Sequence, residues 1–290
     1  MASHSLQHGP DVSGSGESDL AELLDLDAEV LHAHLSEVTA WLADLAGSMP
    51  VRRILDLGSG TGTGTFALLR RFSDAEVIAV DRSPQLLHHL RGKAGDLGVA
   101  GQVRTVEADL DGTWPAFGGV DLVWASAALH HMADPDRALR EAFDALRPGG
   151  LVAVIEMDGF PRFLPDDLGL GRPGLEARCH AALAQSHAQA LPRLGSDWGS
   201  PLYRAGYIIE AERLFTVELS RPLPESADRY AQALLRRIRA SLDGQMSTDD
   251  LAVLDTLIAS DGPDSVLRRD DLTVRTQRPG WAARRPPVTG

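Results

Sequence analysis

A single cysteine, Cys179, stands in the whole chain, so no intrachain disulfide can form and a cysteine-based metal site is closed to it. Lysine is as scarce: Lys93 is the only one, and no Lys or Arg precedes Arg52. The positive n-region of a secretory signal is therefore missing, and no run approaches the roughly 18 apolar residues that cross a bilayer. A cytoplasmic protein without a membrane partner is expected. Positive charge is short overall, with 28 basic against 41 acidic residues and a net charge of -13. Such a surface repels phosphate, which argues against a nucleic-acid partner. What remains is ordinary: 290 residues, 43% hydrophobic and 24% charged, enough to bury a core without staples.

Residues 1–18 are rich in Ser and Gly with almost nothing apolar, and the expectation there is a disordered tail. Leu20, Leu24, Leu31, Leu35, Val38, Leu42 and Leu45 then recur at helical spacing, with Asp19 and Glu22 placed as a capping box and Gly47 and Pro50 closing the segment. One long helix or two short ones fit it. Its acids without bases suit a lid over a cationic small molecule, although a solvated helix face gives the same pattern. From residue 53 to about 157, short β-branched runs alternate with amphipathic helices, the form of a parallel sheet built from βαβ units. Strands are predicted at 53–57, 76–80, 103–107, 120–125 and 151–155, and a helix from Pro135 is predicted to end at the break Arg147-Pro148-Gly149-Gly150. Farther on, helices are predicted near 174–191, 200–205, 225–242 and 248–260. Strands are predicted at 211–219 and 272–283, the latter broken by Pro279 and Gly280.

The first strand runs into Asp56-Leu57-Gly58-Ser59-Gly60-Thr61-Gly62 and then a helix, which aims backbone N–H groups at a ligand on the carboxyl edge of the sheet. The dinucleotide pattern G-x-G-x-x-G fails in both registers, because its last glycine falls on Thr63 or Thr65. A phosphate-binding loop ending in Gly-Lys is absent as well. Asp81 closes the second strand about 20 residues on, where a carboxylate accepts ribose hydroxyls. Asp109 follows the third strand, where one can accept from an adenine amino group. Each alone reads as a turn or cap aspartate; the ordered set with the glycine loop reads as a nucleoside site.

These stretches, ILDLGSGTGTGTFALL, AVDRSP, VEADL and DLVWASAALHHMADPDRALREAFDALRPGGLVAVIE, resemble the class I S-adenosylmethionine-dependent methyltransferases of the small-molecule type. The resemblance implies an α/β fold, a doubly wound Rossmann-like seven-stranded sheet in the order 3-2-1-4-5-7-6, with an N-terminal helical lid and helical insertions in the C-terminal half. It divides the chain into a tail at 1–18, a lid at 19–50, an S-adenosylmethionine-binding core at 51–157, and substrate-covering helices with completing strands at 158–290. Carried over by motif, Asp56 and Gly58, Ser59, Gly60, Thr61 and Gly62 would hold the methionine end of the cofactor. Asp81 would take the ribose with Arg82 flanking the adenine. Ala108, Asp109 and Leu110 would fix the adenine edge, and Ala125 would lie near the methyl donor. The implied cofactor is S-adenosylmethionine and the partner a small-molecule acceptor; no metal is expected, and a homodimer is left open.

Methyl transfer is an in-line displacement that positioning alone accelerates. An oxygen acceptor gains further from a general base, and His130, His131 and Glu156 are the candidates, brought together because adjacent parallel strands deliver their carboxyl ends to one crevice. Each has a plain structural reading too, as a helix-start histidine or a paired carboxylate. By analogy the resemblance suggests O-methylation in secondary-metabolite or antibiotic biosynthesis. A protein that binds the cofactor without methyl transfer would keep all the same motifs. A nicotinamide oxidoreductase would need the missing third glycine.

Overall fold

A computed structural model describes residues 14–190 and 193–288, so residues 1–13 of the expected tail lie outside the described residues. The sheet has seven strands: β1 (Arg53–Leu57), β2 (Glu76–Asp81), β3 (Val103–Glu107), β4 (Val120–Ser126), β5 (Leu146–Ile155), β6 (Ile208–Leu219) and β7 (Val274–Arg284). Their order is β3-β2-β1-β4-β5-β7-β6, as the resemblance implied. The first five are parallel and β7 runs antiparallel between β5 and β6. Crossover helices α3 (Thr63–Arg71), α4 (Pro84–Asp96) and α5 (Pro135–Ala145) link the parallel strands. Pro84 and Pro135 sit in the first turns of α4 and α5, where a missing N–H costs nothing, and Ser83 and Asp134 cap them. Central strands β1 and β4 are buried almost throughout, which is why they read as mostly apolar runs, with Asp56 and Asp121 the buried exceptions.

Three details depart from the sequence reading. The first helix, α1 (Gly14–Val30), starts before Asp19, so 14–18 are helical and Asp19 is no cap. Glu17 in its first turn accepts from the Ser83 hydroxyl at 3.1 Å, an anchor that lies 66 residues away. A break at Leu31 separates α1 from α2 (His32–Ala46), giving the two-helix alternative. Residues 147–150, expected to interrupt the chain ahead of a strand, lie inside β5: pairing jumps from Val120–Leu146 to Leu122–Leu151, and a bulge absorbs Pro148 and the two glycines. Pro279 and Gly280 likewise lie within a continuous β7, where a side chain on Gly280 would strike Ile155 and Phe215.

The remaining helices, α6 (Leu175–Ala190), α7 (Gly199–Arg204), α8 (Ala227–Ala240) and α9 (Thr248–Ile258), fall into two groups. Leu202 of α7 packs with Trp198, Trp281 and Leu139 on one face of the sheet, and Tyr203 is exposed. By contrast α6, α8 and α9 share an apolar cluster with Leu26, Val30 and Leu31 of the first helix and with Phe163 and Leu164. Burial of Leu234, Leu235 and Ile238 on α8 contributes roughly 1.5–3 kcal/mol each relative to exposure. This second core ties the C-terminal insertion to α1, and α1 in turn lies on the glycine loop.

Candidate active site

Gly58, Gly60 and Gly62 all adopt positive φ, at 69°, 53° and 89°. At Gly58 a Cβ would come within 2.8 Å of the Ala128 Cβ, so the loop after β1 and the loop after β4 touch only because glycine stands there. The amides of Gly58 and Ser59 donate to the Val80 carbonyl, both at 2.9 Å. Gly60 N–H donates to Asp81 Oδ2 and Ser83 N–H to Asp81 Oδ1, each at 2.9 Å. Asp81 thus joins the glycine loop to the start of α4 while keeping lone pairs free for a further donor. Ser59 is buried, and its hydroxyl has no partner among the described residues, an orphan that a polar ligand in the loop would satisfy.

Asp56 behaves differently. It is buried, accepts from the Thr65 hydroxyl at 2.6 Å, and is engaged below the loop with α3. Burial, reinforced by the charge of Asp81, pushes its carboxyl up to about 7 despite the Thr65 bond. The proton is held in the fold and released in the unfolded chain, whose carboxyl has the ordinary value of 3.8, so stability falls as pH rises between these values. Asp56→Asn is therefore expected to melt at the wild-type temperature near pH 4 and above it near pH 7.5, an ordering that a thermal-melt series across pH checks. An advantage that does not grow with pH would refute the buried proton.

The adenine-side residues follow β3. Ala108 N–H donates to the Asp81 carbonyl at 3.1 Å. Asp109 is exposed and closes a turn by accepting from Asp111 N–H at 2.9 Å. Leu110 is buried, its carbonyl fixed by Trp114 Nε1 and Arg137. Arg82 is exposed beyond Asp81, and Ala125 lies buried in β4 opposite Leu57. The cofactor positions named from sequence thus gather on the carboxyl edge, with Asp56 set beneath them.

Helix α1 lies across this edge. Leu24 Cδ1 would be 3.2 Å from a Cβ on Gly60. The acids of α1 meet bases and hydroxyls of its neighbours: Glu22 pairs with Arg229 at 2.7 Å, and Asp25 with Lys93 at 2.8 Å and His89 at 2.7 Å. Burial acts against ionised Asp25, but hydrogen bonds from Lys93 and His89 outweigh it and hold its carboxyl below the usual value. Asp27 accepts from the Tyr230 hydroxyl and from Arg278. The only lysine is thereby spent on fastening α1.

The catalytic candidates meet as anticipated. His130 Nδ1 lies 2.6 Å from Glu156 Oε2, and both side chains are buried. Glu156 Oε1 also accepts from Ala128 N–H at 3.2 Å and Leu129 N–H at 2.9 Å. A carboxylate accepts, so Nδ1 carries the hydrogen, and in the neutral ring Nε2 is the nitrogen with the lone pair. Ala127 supplies the turn: its φ of 49° is the one positive value at a non-glycine among the described residues, and its N–H bonds Ile155 O at 2.8 Å. Sequence reasoning missed Ala127, since nothing in an alanine signals a left-handed turn. The His131 ring lies 4.1 Å from His130, centroid to centroid. His131 is exposed, and partial desolvation, then the neighbouring His130, lower its pKa against the pull of Glu156. Arg278, Asp27 and Tyr230 were also missed.

Residues 54–150 match the family model described as a methyltransferase domain. The ubiquinone/menaquinone biosynthesis C-methyltransferase UbiE of Vibrio campbellii is 36% identical over 114 residues, 39% of this chain and 44% of that protein. A malonyl-[acyl-carrier protein] O-methyltransferase of Laribacter hongkongensis is 32% identical over 199 residues, 64% of this chain and 62% of that protein. The chain thus spans less than half the length of the UbiE relatives it matches. Among solved structures, a provisionally assigned methyltransferase from Bacillus halodurans superposes with a TM-score of 0.53 at 18% identity, over 86% of this chain and 98% of that one. The likeness in structure is one of fold.

Proposed function

We propose that the protein, whose residues 54–150 match a methyltransferase domain, transfers a methyl group from S-adenosylmethionine to a small organic acceptor, at oxygen. The observation that carries this reading is the contact between Gly58 and Ala128, which sets the cofactor loop against the loop that bears His130. Bound S-adenosylmethionine would supply a methyl group made electrophilic by its sulfonium. Gly58–Gly62, Ser59 and Asp81 would hold it, Ser59 through its unpartnered hydroxyl and Asp81 through its remaining lone pairs. Ala108–Leu110 and Arg82 would border the adenine, and Ala125 the methyl end.

His130 Nε2 would then take the proton of an acceptor hydroxyl, while Glu156 keeps the ring in the required tautomer and balances the charge it gains. His131 lies beside it as a neutral ring that borders the acceptor. The two named relatives differ in the atom methylated, carbon in one and oxygen in the other. The buried His–Glu pair suits a hydroxyl, which loses a proton as it is methylated, and would serve equally to activate a phenol or enol for methylation at carbon. A tailoring role in secondary metabolism belongs to the same reading.

Calorimetric titration with S-adenosylhomocysteine, with NAD in parallel, tests it. Micromolar binding of the first and none of the second is expected, followed by release of S-adenosylhomocysteine when hydroxylated acceptors are supplied with the methyl donor. Binding of NAD alone would overturn the reading.

A further inference from the structure

Arg278 is a buried arginine that the methyl-transfer steps do not use. It stands on β7 beside the reaction edge, since the Glu156 amide donates to the carbonyl of the next residue, Pro279, at 2.9 Å. Only 7% of Arg278 is exposed, and its charged partner is Asp27 of α1, one Nη2–Oδ1 contact at 3.2 Å. A guanidinium carries five N–H donors, so one such contact leaves most of its capacity unspent. Asp27 is shared with the Tyr230 hydroxyl of α8.

The surroundings of this pair hold more polar groups than the fold satisfies. Thr276, two residues away and so on the same face of β7, is buried and its hydroxyl has no partner among the described residues. His34 of α2 is 7% exposed with Nδ1 unpartnered, and its ring meets Phe215, the cross-strand neighbour of Arg278. Burial first, and then the Arg278 charge, hold His34 down at about 4, so it is neutral at pH 7. Buried groups of this kind are normally paired, and a cluster of them around a half-used guanidinium describes a site for an anion.

We propose that Arg278, with Tyr230, Thr276 and His34, binds a carboxylate on the methyl acceptor, and that Asp27 occupies this place when no acceptor is bound. The proposal rests on the methyl-transfer reading for the identity of the acceptor. One guanidinium balances one unit of charge, which fits a carboxylate and leaves a phosphate dianion half neutralised. Arrival of the acceptor displaces Asp27 and releases the tie of α1 to β7, while the apolar cluster and Glu22–Arg229 keep α1 on α8 and Asp25 keeps its bonds to Lys93 and His89. Because Leu24 of the same helix rests against Gly60, acceptor binding is thereby coupled to the cover of the cofactor loop.

Benzoate serves as the carboxylate probe, benzamide as its neutral counterpart and phenyl phosphate as the dianion, each titrated against the full chain by ligand-observed NMR. In Asp27→Asn the internal competitor is gone, and benzoate affinity is expected to rise at least tenfold over wild type, with benzamide binding to neither. Adding Arg278→Met to that variant is expected to abolish the gain. Equal benzoate affinity in wild type and Asp27→Asn, or a gain that survives Arg278→Met, overturns the proposal, and tighter binding of phenyl phosphate than of benzoate overturns the carboxylate assignment. Titration of each variant with S-adenosylhomocysteine shows whether the cofactor site is intact. Should Arg278→Met fail to fold, the comparison of Asp27→Asn with wild type still decides. Loss of S-adenosylhomocysteine binding in every protein, wild type included, would sink the methyl-transfer reading and leave the benzoate result standing.

Discussion

Glu156→Gln is expected to lower turnover by about 10²–10⁴-fold while leaving the fold and the affinity for S-adenosylhomocysteine within a factor of about two. The substitution is nearly isosteric, and its amide oxygen can still accept from the amides of Ala128 and Leu129. Its NH₂ group then faces His130 Nδ1 and must donate where the carboxylate accepted. The imidazole answers by moving its hydrogen to Nε2, so the atom that should take the acceptor's proton now carries one. Glu156→Ala is less informative, since removal of one partner of a buried pair costs about 3–5 kcal/mol and strips Ala128 and Leu129 of their acceptor. His130→Ala should lower turnover to a similar extent, and the double variant His130→Ala with Glu156→Gln should be no slower than either alone, because Glu156 acts through the ring. The pH dependence of turnover supplies the second reading: the limb assigned to the base should vanish in all three variants. Full turnover of Glu156→Gln with a hydroxylated acceptor would reduce the pair to a brace for the loop after β4.

Why this pair was legible in the sequence, and other parts of the site were not, follows from the range of the interactions involved. Strands β1, β2 and β4 announce themselves as apolar runs because both faces are covered, and the glycines after β1 mark a turn that no other residue adopts at ease. Parallel neighbours place the ends of β4 and β5 together, so His130 and Glu156 could be paired from topology alone. Asp56 was legible as an acid at the right strand end. The side to which its carboxylate turns depends on Thr65, a contact within α3 that the motif does not encode. Proline and glycine misled twice, at Arg147–Gly150 and at Pro279–Gly280, because their local preference for a break gave way to a bulge in one strand and to close packing on Ile155 in the other. The Asp27–Arg278 contact joins residues 251 apart, and α1, α8 and β7 must all be folded before it exists. No local pattern reports such a cluster.

Asp81→Ala is expected to weaken S-adenosylhomocysteine binding by about 10²–10³-fold. Its carboxylate does two things at once. One oxygen accepts from Gly60 N–H and the other from Ser83 N–H, which fixes the glycine loop against the start of α4, and the free lone pairs remain for the ribose hydroxyls. Hydrogen bonds to a charged group contribute about 1.5–3 kcal/mol each, so loss of those to the ribose alone accounts for the expected range. Ser83→Ala is the control for the start of α4. It removes the hydroxyl that caps α4 through Leu86 N–H and that reaches Glu17, at a cost of about 1 kcal/mol in stability, yet leaves the backbone N–H that Asp81 accepts from. Its affinity for S-adenosylhomocysteine should stay within about threefold of wild type. If calorimetry finds the two variants equally weakened, the cap of α4 and its anchor to Glu17 set affinity and the ribose contact is minor. An unchanged dissociation constant in Asp81→Ala would remove the residue from the cofactor site, and with it the ordered set of loop and strand-end acids on which that site was first drawn.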